Sequence, residues 1–286
     1  NTFKYDKCSI FLFICQPILK APWRETTWGN KDELLQYVKN FQPQNEVKAI
    51  RVLLHGPVGA GKSSFINSVN NILQGRMTHE ALASNKTSDQ SFTKKYQTYE
   101  IKKEGRGDFY PFVFNDVMGL EETSGVKEDD IKLALKGHVK DNYKFNPVSS
   151  LSDGDPGYIS SPSISDRVHV LVCIYDANAS QMKSSILQKM REIREAASEL
   201  GIPQMGILTH IDEACQKTKS DLRNVYKSKH LKIKMGDFSS SLGIPVNCIL
   251  PVKNYSDEIQ LNSDVDTLIL SALKMMIDFG NDYADK

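Results

Sequence analysis

Apolar residues along this chain fall into two kinds of run. Mainly apolar stretches of six to eight, at 49–55, 109–115, 168–175, 204–209 and 246–252, have the length of strands, and 168–175 has the continuity of a central one buried on both faces. Between them lie stretches with a helical period. The clearest places Ile186, Met190, Ile193, Ala197 and Leu200 at i, i+4, i+7, i+11 and i+14, and Gly201 and Pro203 stop it. Further helices are predicted over 62–73, 128–139 and 264–279, the last with Leu268, Ile269, Ala272, Leu273 and Met276 facing inward. A helix over 30–41 carries Leu34, Leu35, Val38 and Phe41 as its stripe, with Asn30 and Glu33 at capping-box spacing. Residues 96–102 are strand-like. From residue 48 onward strands and helices alternate, which predicts an α/β fold with a mainly parallel sheet and helices on both faces.

Two parts follow from this pattern. Residues 1–45 read as an N-terminal strand, a linker containing Pro17, Pro22, Trp23 and Trp28, and the 30–41 helix; residues 46–286 read as the main domain. The apolar run 9–15 is too short to span a bilayer and lacks a small-residue cleavage site after it, so it reads as a buried strand rather than a leader. The chain starts at Asn1 without a methionine, which fits a piece of something longer. Two polar stretches, 76–95 and 142–166, stand outside the core pattern and are long for plain connections. There is no internal repeat.

Composition changes little in this picture. Hydrophobic residues make up 40% and charged ones 25%, as in ordinary globular proteins. The 36 Lys and Arg against 35 Asp and Glu leave a net charge of +1, which gives no general electrostatic pull toward nucleic acid or an anionic membrane. A cluster at Lys227, Lys229, Lys232 and Lys234 reads as a solvated face. The five cysteines, Cys8, Cys15, Cys173, Cys215 and Cys248, include no Cys-x-x-Cys pair, so neither zinc nor a disulfide framework is indicated and a reducing, cytoplasmic setting fits best. Cys173 and Cys248 read as small core residues.

The chemistry is concentrated after the first strand of the main domain. Gly56-Pro57-Val58-Gly59-Ala60-Gly61-Lys62-Ser63 has the spacing of a phosphate-binding loop between strand and helix. Glycines let the backbone curl so that the N–H groups of Gly56, Gly59, Ala60, Gly61, Lys62, Ser63 and Ser64 can face phosphate oxygens, and the helix start adds its positive end. The Lys62 ammonium would reach the β- and γ-phosphates, and the Ser63 hydroxyl would hold Mg²⁺. At the end of the 109–115 strand, Asp116-Val117-Met118-Gly119 offers a carboxylate to Mg²⁺ through water and the Gly119 N–H to the γ-phosphate. Strand ends of this kind are where open α/β sheets bind ligands. After the 204–209 strand comes Thr209-His210-Ile211-Asp212. In GTP-binding domains this place carries Asn/Thr-Lys-x-Asp, whose Asp accepts two hydrogen bonds from guanine. Here His210 stands for the lysine, and its imidazole would stack on the base or contact the loop. Two charge-assisted hydrogen bonds at ~1.5–3 kcal/mol each would favour GTP by about 10²–10⁴.

These three motifs in this order resemble the GTPase superfamily, with GTP or GDP and Mg²⁺ as the ligands. A closer resemblance is to the interferon-induced protein 44 family. It is carried by the phosphate loop with Ser64-Phe65-Ile66-Asn67-Ser68-Val69, by Thr78-His79, Tyr96-Gln97-Thr98-Tyr99 and Tyr143-Lys144-Phe145-Asn146-Pro147, and by Leu208-Thr209-His210-Ile211-Asp212, Asn254-Tyr255-Ser256 and Leu268-Ile269-Leu270-Ser271-Ala272-Leu273. It spans about residues 22–280. The resemblance implies a cytoplasmic, interferon-responsive, antiviral protein with a GTP-binding domain, often preceded by a further N-terminal domain. It also implies that Asn254 lies in the last guanine-contacting loop, and that a switch threonine, Thr93 or else Thr87, closes on Mg²⁺ and the γ-phosphate.

The position that holds a water-orienting glutamine in many efficient GTPases is Leu120 here, followed by Glu121 and Glu122, so slow hydrolysis and a nucleotide-dependent binding switch are expected. A protein partner or self-association would then carry the output. Two other readings are weaker. An ATP-using kinase would want lid arginines, and only Arg76 and Arg106 lie between Arg51 and Arg167; a degenerate scaffold binding through 142–166 is disfavoured by the intact Lys62, Ser63, Asp116 and Asp212.

Overall fold

Ile50–His55 forms β1, buried on both faces except at Arg51, and everything else is arranged about it. The structure is a computed structural model. It describes residues 18–44, 47–78, 95–105, 107–117, 119–121, 126–146, 148–179 and 183–286. The elements in chain order are α1 (Lys31–Asn40), β1, α2 (Lys62–Gln74), β2 (Gln97–Lys102), β3 (Phe109–Asp116), α3 (Glu128–Leu135), β4 (Val170–Asp176), α4 (Ser184–Glu199), β5 (Gln204–Thr209), the short α5 (Ile211–Ala214) and α6 (Gln216–Ser220), α7 (Lys229–Leu242), β6 (Ile249–Pro251) and α8 (Ser263–Ala284).

The sheet order is β2-β3-β1-β4-β5-β6. All neighbours are parallel except the edge strand β2, which runs antiparallel to β3. Side chains alternate across it as a two-residue period requires. Val52, Leu54, Val170, Val172 and Ile174 meet the buried sides of α1, α2 and α8. Leu53, Leu171 and Cys173 meet α3, α4 and α7. The strand order reverses at β1, between β3 and β4, which opens a crevice at their carboxyl ends.

Several boundaries differ from the pattern-based expectations, each for a local reason. The Asn30 side chain does not cap α1; only its backbone carbonyl does, accepting from Leu34 N at 3.0 Å. Helix α3 stops at Leu135 rather than 139, because His138 N–H closes back on Leu133 O at 2.9 Å. The 246–252 run splits into a 3₁₀ turn (Val246–Cys248) and the three-residue β6, and Cys248 is only half-buried. Helix α8 continues past residue 279 to Ala284. The apolar pattern predicts no element over 213–245, yet this range holds α6 and α7, the latter with Leu231, Met235, Phe238 and Leu242 buried. The 142–166 segment is largely irregular but tied down: Phe145 and Leu151 are buried, and Leu151 N–H donates to Asp130 Oδ1 at 2.7 Å.

Residues 18–30 form a strap across the far end of the sheet. Leu19 N–H and Trp23 N–H donate to Lys227 O and Tyr226 O at 2.8 and 3.0 Å. Arg24 Nη1 donates to Ile249 O at 2.6 Å, its other terminal nitrogen bonds Val246 O, and the guanidinium lies 4.8 Å from the Trp23 ring centroid. The strap leads into α1, which packs along α8.

Candidate functional site

The crevice is floored by the turn from β1 into α2. Gly56 has φ +149, and a Cβ there would stand 2.1 Å from Ile174 O, so the chain passes so close to β4 that only glycine fits. The turn ends at Gly61, left-handed at φ +88, from which α2 starts at Lys62. The Lys62 ammonium folds back over this turn, donating to Gly56 O at 3.2 Å and Pro57 O at 3.1 Å. It is buried, and that burial pulls its pKa below the ordinary lysine value, with Asp116 opposing. Gly59 is exposed at the loop's tip, Ala60 is buried and Ser64 is half-buried in the first turn of α2.

Asp116, the last residue of β3, is fully buried and accepts from Ser63 Oγ at 2.6 Å. Beyond it, Gly119 lies against Val58, and Leu120 N–H donates to Gly56 O at 3.1 Å, so the Asp-x-x-Gly segment is stitched to the phosphate loop. The Leu120 side chain is 1% exposed and belongs to the core with Val117 and Val126. It points into the protein. Thr93 and Thr87 lie outside the described residues, as does Met118.

The two segments expected to hold a base converge on the same turn. Thr209 Oγ1, fully buried, lies 2.8 Å from Ala60 O and 3.1 Å from Tyr175 O. Asn254 Nδ2 donates to Gly61 O at 3.2 Å, and its buried Oδ1 has no hydrogen-bond partner among the described residues. A Cβ on Gly61 would lie 2.9 Å from Asn254 Nδ2, 3.5 Å from Thr209 Cγ2 and 3.7 Å from His210 Cε1. His210 adopts the left-handed conformation (φ +53), and its Nδ1 lies 3.1 Å from Asp176 Oδ1. Asp212, in the one-turn α5, is half-buried 3.8 Å from Lys253 Nζ, which also pairs with Glu258.

The crevice therefore brings together Gly56, Gly59, Ala60, Gly61, Lys62, Ser63, Ser64, Asp116, Gly119, Thr209, His210 and Asn254, with Asp212 at its rim beside Lys253. Sequence reasoning missed Asp176 and Lys253. Asp176 had a signal of its own, since it ends an apolar strand as Asp116 does; Lys253 had none beyond lying one residue before Asn254.

No family model matches the chain. Among curated proteins, interferon-induced protein 44 of Mus musculus is 37% identical over 287 aligned positions, covering all of this chain and 67% of the relative. Interferon-induced protein 44 of Homo sapiens is 37% identical over 258 positions, covering 89% of this chain and 58% of the relative. The human interferon-induced protein 44-like is 33% identical over 260 positions. The chain belongs to the interferon-induced protein 44 family. It spans about three-fifths to two-thirds of these relatives' length, from 57% for the 44-like protein to 67% for the mouse one.

Solved structures agree on the fold. Toc33 from Arabidopsis thaliana, as a dimerization-deficient mutant, superposes with a TM-score of 0.50 at 15% identity, over 90% of this chain and 96% of that one. Toc33 in complex with GDP and Mg²⁺ gives the same TM-score at 13% identity, over 88% and 93%. Such low identities speak for architecture alone. This member of the interferon-induced protein 44 family has the P-loop GTPase-like α/β fold, and among its described residues no helix is long and apolar enough to cross a membrane.

Proposed function

We propose that this protein is a guanine-nucleotide-binding switch of slow intrinsic hydrolysis, acting in an interferon-induced, antiviral response in the cytoplasm through a protein partner or a second copy. One observation carries the nucleotide reading. Segments 149 and 193 residues away along the chain are hydrogen-bonded to consecutive carbonyls of the phosphate loop, Thr209 to Ala60 O and Asn254 to Gly61 O. A loop that binds phosphate and two loops that frame a base are thereby held at fixed spacing. The unpartnered Asn254 Oδ1 supports this, since a buried acceptor costs free energy until a donor such as a base N–H or a ribose hydroxyl reaches it.

The Ser63 hydroxyl and Asp116 carboxylate, 2.6 Å apart, are hard oxygen donors that fit Mg²⁺, Ser63 directly and Asp116 through water, with Thr93 as the proposed third contact. Bound there, Mg²⁺ would neutralise the β- and γ-phosphate oxygens. The N–H groups of Gly56, Gly59, Ala60, Gly61, Lys62, Ser63, Ser64 and Gly119 cradle the phosphates, and Lys62 swings from Gly56 O and Pro57 O onto them. Asp212 reads the guanine edge, His210 lies along the base while Asp176 holds its imidazole, and Thr209 and Asn254 fix both loops. Leu120, turned into the core, cannot orient a water molecule, so hydrolysis is slow unless a partner supplies that group.

The test is calorimetric titration with GTP, GDP and ATP in Mg²⁺, for the native chain and for Asp212→Asn. The native chain is expected to prefer GTP to ATP by about 10²-fold or more, and Asp212→Asn to lose most of that preference while ATP binding is unchanged. Equal affinity for ATP and GTP in the native chain would overturn the base assignment, and no binding of either would leave a scaffold.

A further inference from the structure

Two buried polar side chains next to the base loop are not used by the site itself. Tyr255 follows Asn254, and Asp266 lies in the first turn of α8, fully buried. The Tyr255 hydroxyl lies 2.6 Å from Asp266 Oδ1 and accepts from Asn262 N–H at 2.6 Å. The Tyr255 backbone N–H donates to Ser68 Oγ of α2 at 2.9 Å, while its neighbour Asn254 donates to Gly61 O. The base loop is therefore held at both ends, by the phosphate-loop helix on one side and by Asp266 on the other.

A carboxylate shut away from water is costly without compensation. Asp266 has three sources of it. The positive end of α8 and the Tyr255 hydroxyl are two. The third is the Lys31 ammonium, 3.2 Å from Asp266 Oδ2 and about a quarter exposed. Lys31 is the first residue of α1 and belongs to a different part of the chain, brought in by the 18–30 strap and seated on α8. Where α1 sits thus decides whether Asp266 has its cation. Asp266 in turn fixes the hydroxyl that anchors the base loop.

We propose that Lys31, Asp266 and Tyr255 are positioning residues for the base loop, and that they couple the seating of α1 to guanine-nucleotide affinity. The proposal rests on the nucleotide reading given above for the ligand, but not for the mechanical link. Coupling is reciprocal. Nucleotide binding seats α1 more firmly, and a partner or upstream segment that pulls α1 away weakens nucleotide binding by the same factor.

The variants are Lys31→Met, which keeps the aliphatic stem, Lys31→Arg, Tyr255→Phe, and the Lys31→Met/Tyr255→Phe double, all in the full chain. Without nucleotide, hydrogen exchange at the amides of Tyr255 and Asn262 should speed up in Lys31→Met relative to amides of β4, and return toward the native rate in Lys31→Arg. In GTP titrations each of Lys31→Met, which removes the ion pair, and Tyr255→Phe, which removes the hydrogen bond, should weaken binding about fivefold. The double should be little weaker than the worse single, because both act through one chain of contacts. Unchanged exchange in Lys31→Met would overturn the link, as would equal acceleration at every amide, which would mean general destabilisation. Fully additive effects on GTP affinity would also overturn it. If exchange responds as expected but the native chain shows no heat with GTP, the link stands and the guanine reading falls.

Discussion

Replacing Lys62 by Met should remove GTP, GDP and ATP binding together, by about 10³-fold, while leaving the nucleotide-free protein as stable as before or slightly more so. The two halves of this expectation come from the same geometry. Among the described residues the buried ammonium bonds to two loop carbonyls, Gly56 O and Pro57 O. Its burial already pulls its pKa down, a sign that the charged form is held at a cost. Methionine fills nearly the same volume without that cost, and Gly56 O keeps the Leu120 N–H as a partner. Phosphate binding has the opposite balance. Truncating one side of a buried, hydrogen-bonded charge pair costs about 2–5 kcal/mol, and 4 kcal/mol is near 10³ in affinity. Thermal scans with and without 1 mM GTP read both halves at once. The native midpoint should rise with ligand as mass action requires, and the Lys62→Met midpoint should start no lower and stay put. A variant that still shifts with GTP would mean the lysine does not face the phosphates. Unlike Asp212→Asn, this substitution spares no nucleotide, so the pair separates phosphate binding from base recognition.

The parts legible from the chain alone were those where one local pattern decides the outcome. Gly56 to Ser63 specifies its own turn, because the glycines, the lysine and the following helix start are consecutive. Mainly apolar runs gave β1, β3, β4 and β5 within about two residues, since central strands buried on both faces leave little room for a competing reading. Helix α7 was missed although Leu231, Met235, Phe238 and Leu242 recur at i, i+4, i+7 and i+11. Gly236 and the serines 239–241 interrupt it with weak helix formers, and packing against the sheet overrides that propensity. The Asn30 capping box failed for the converse reason: the spacing was present but the side chain turned elsewhere. In the site, residues within a motif were legible and residues that meet only through folding were not. Asp176 beside His210, Lys253 beside Asp212, and Lys31 and Tyr255 on Asp266 are separated by 34, 41, 235 and 11 positions, and no short pattern joins them.

Acidification from pH 7 to pH 5 should cost the folded protein about 4 kcal/mol, through two histidines that the fold keeps neutral. His55 ends β1 directly below the phosphate loop, 2% exposed; burial, aided by the nearby Lys62 charge, pushes its pKa down to about 3. His169 is fully buried, its Nδ1 accepts from Arg51 N–H at 2.8 Å, and burial, then the Arg51 charge, takes it down to about 4. Both start from 6.5 in the unfolded chain. Below that value the unfolded state takes up two protons that the folded state refuses until pH 4 or lower, so stability falls as pH falls through this window. Each histidine contributes about 2 kcal/mol between pH 7 and 5. Asp130 works the other way, since burial raises its pKa and the folded state holds its proton more readily, but its effect begins toward the acid end of the range. Urea unfolding at half-unit steps from pH 7.5 to 5 should show the decline. In a His55→Gln/His169→Asn double variant, where the Asn carbonyl can still accept from Arg51 N–H, the curve should be lower at pH 7 but nearly flat. A double variant as steep as the native chain would place the titrating groups elsewhere.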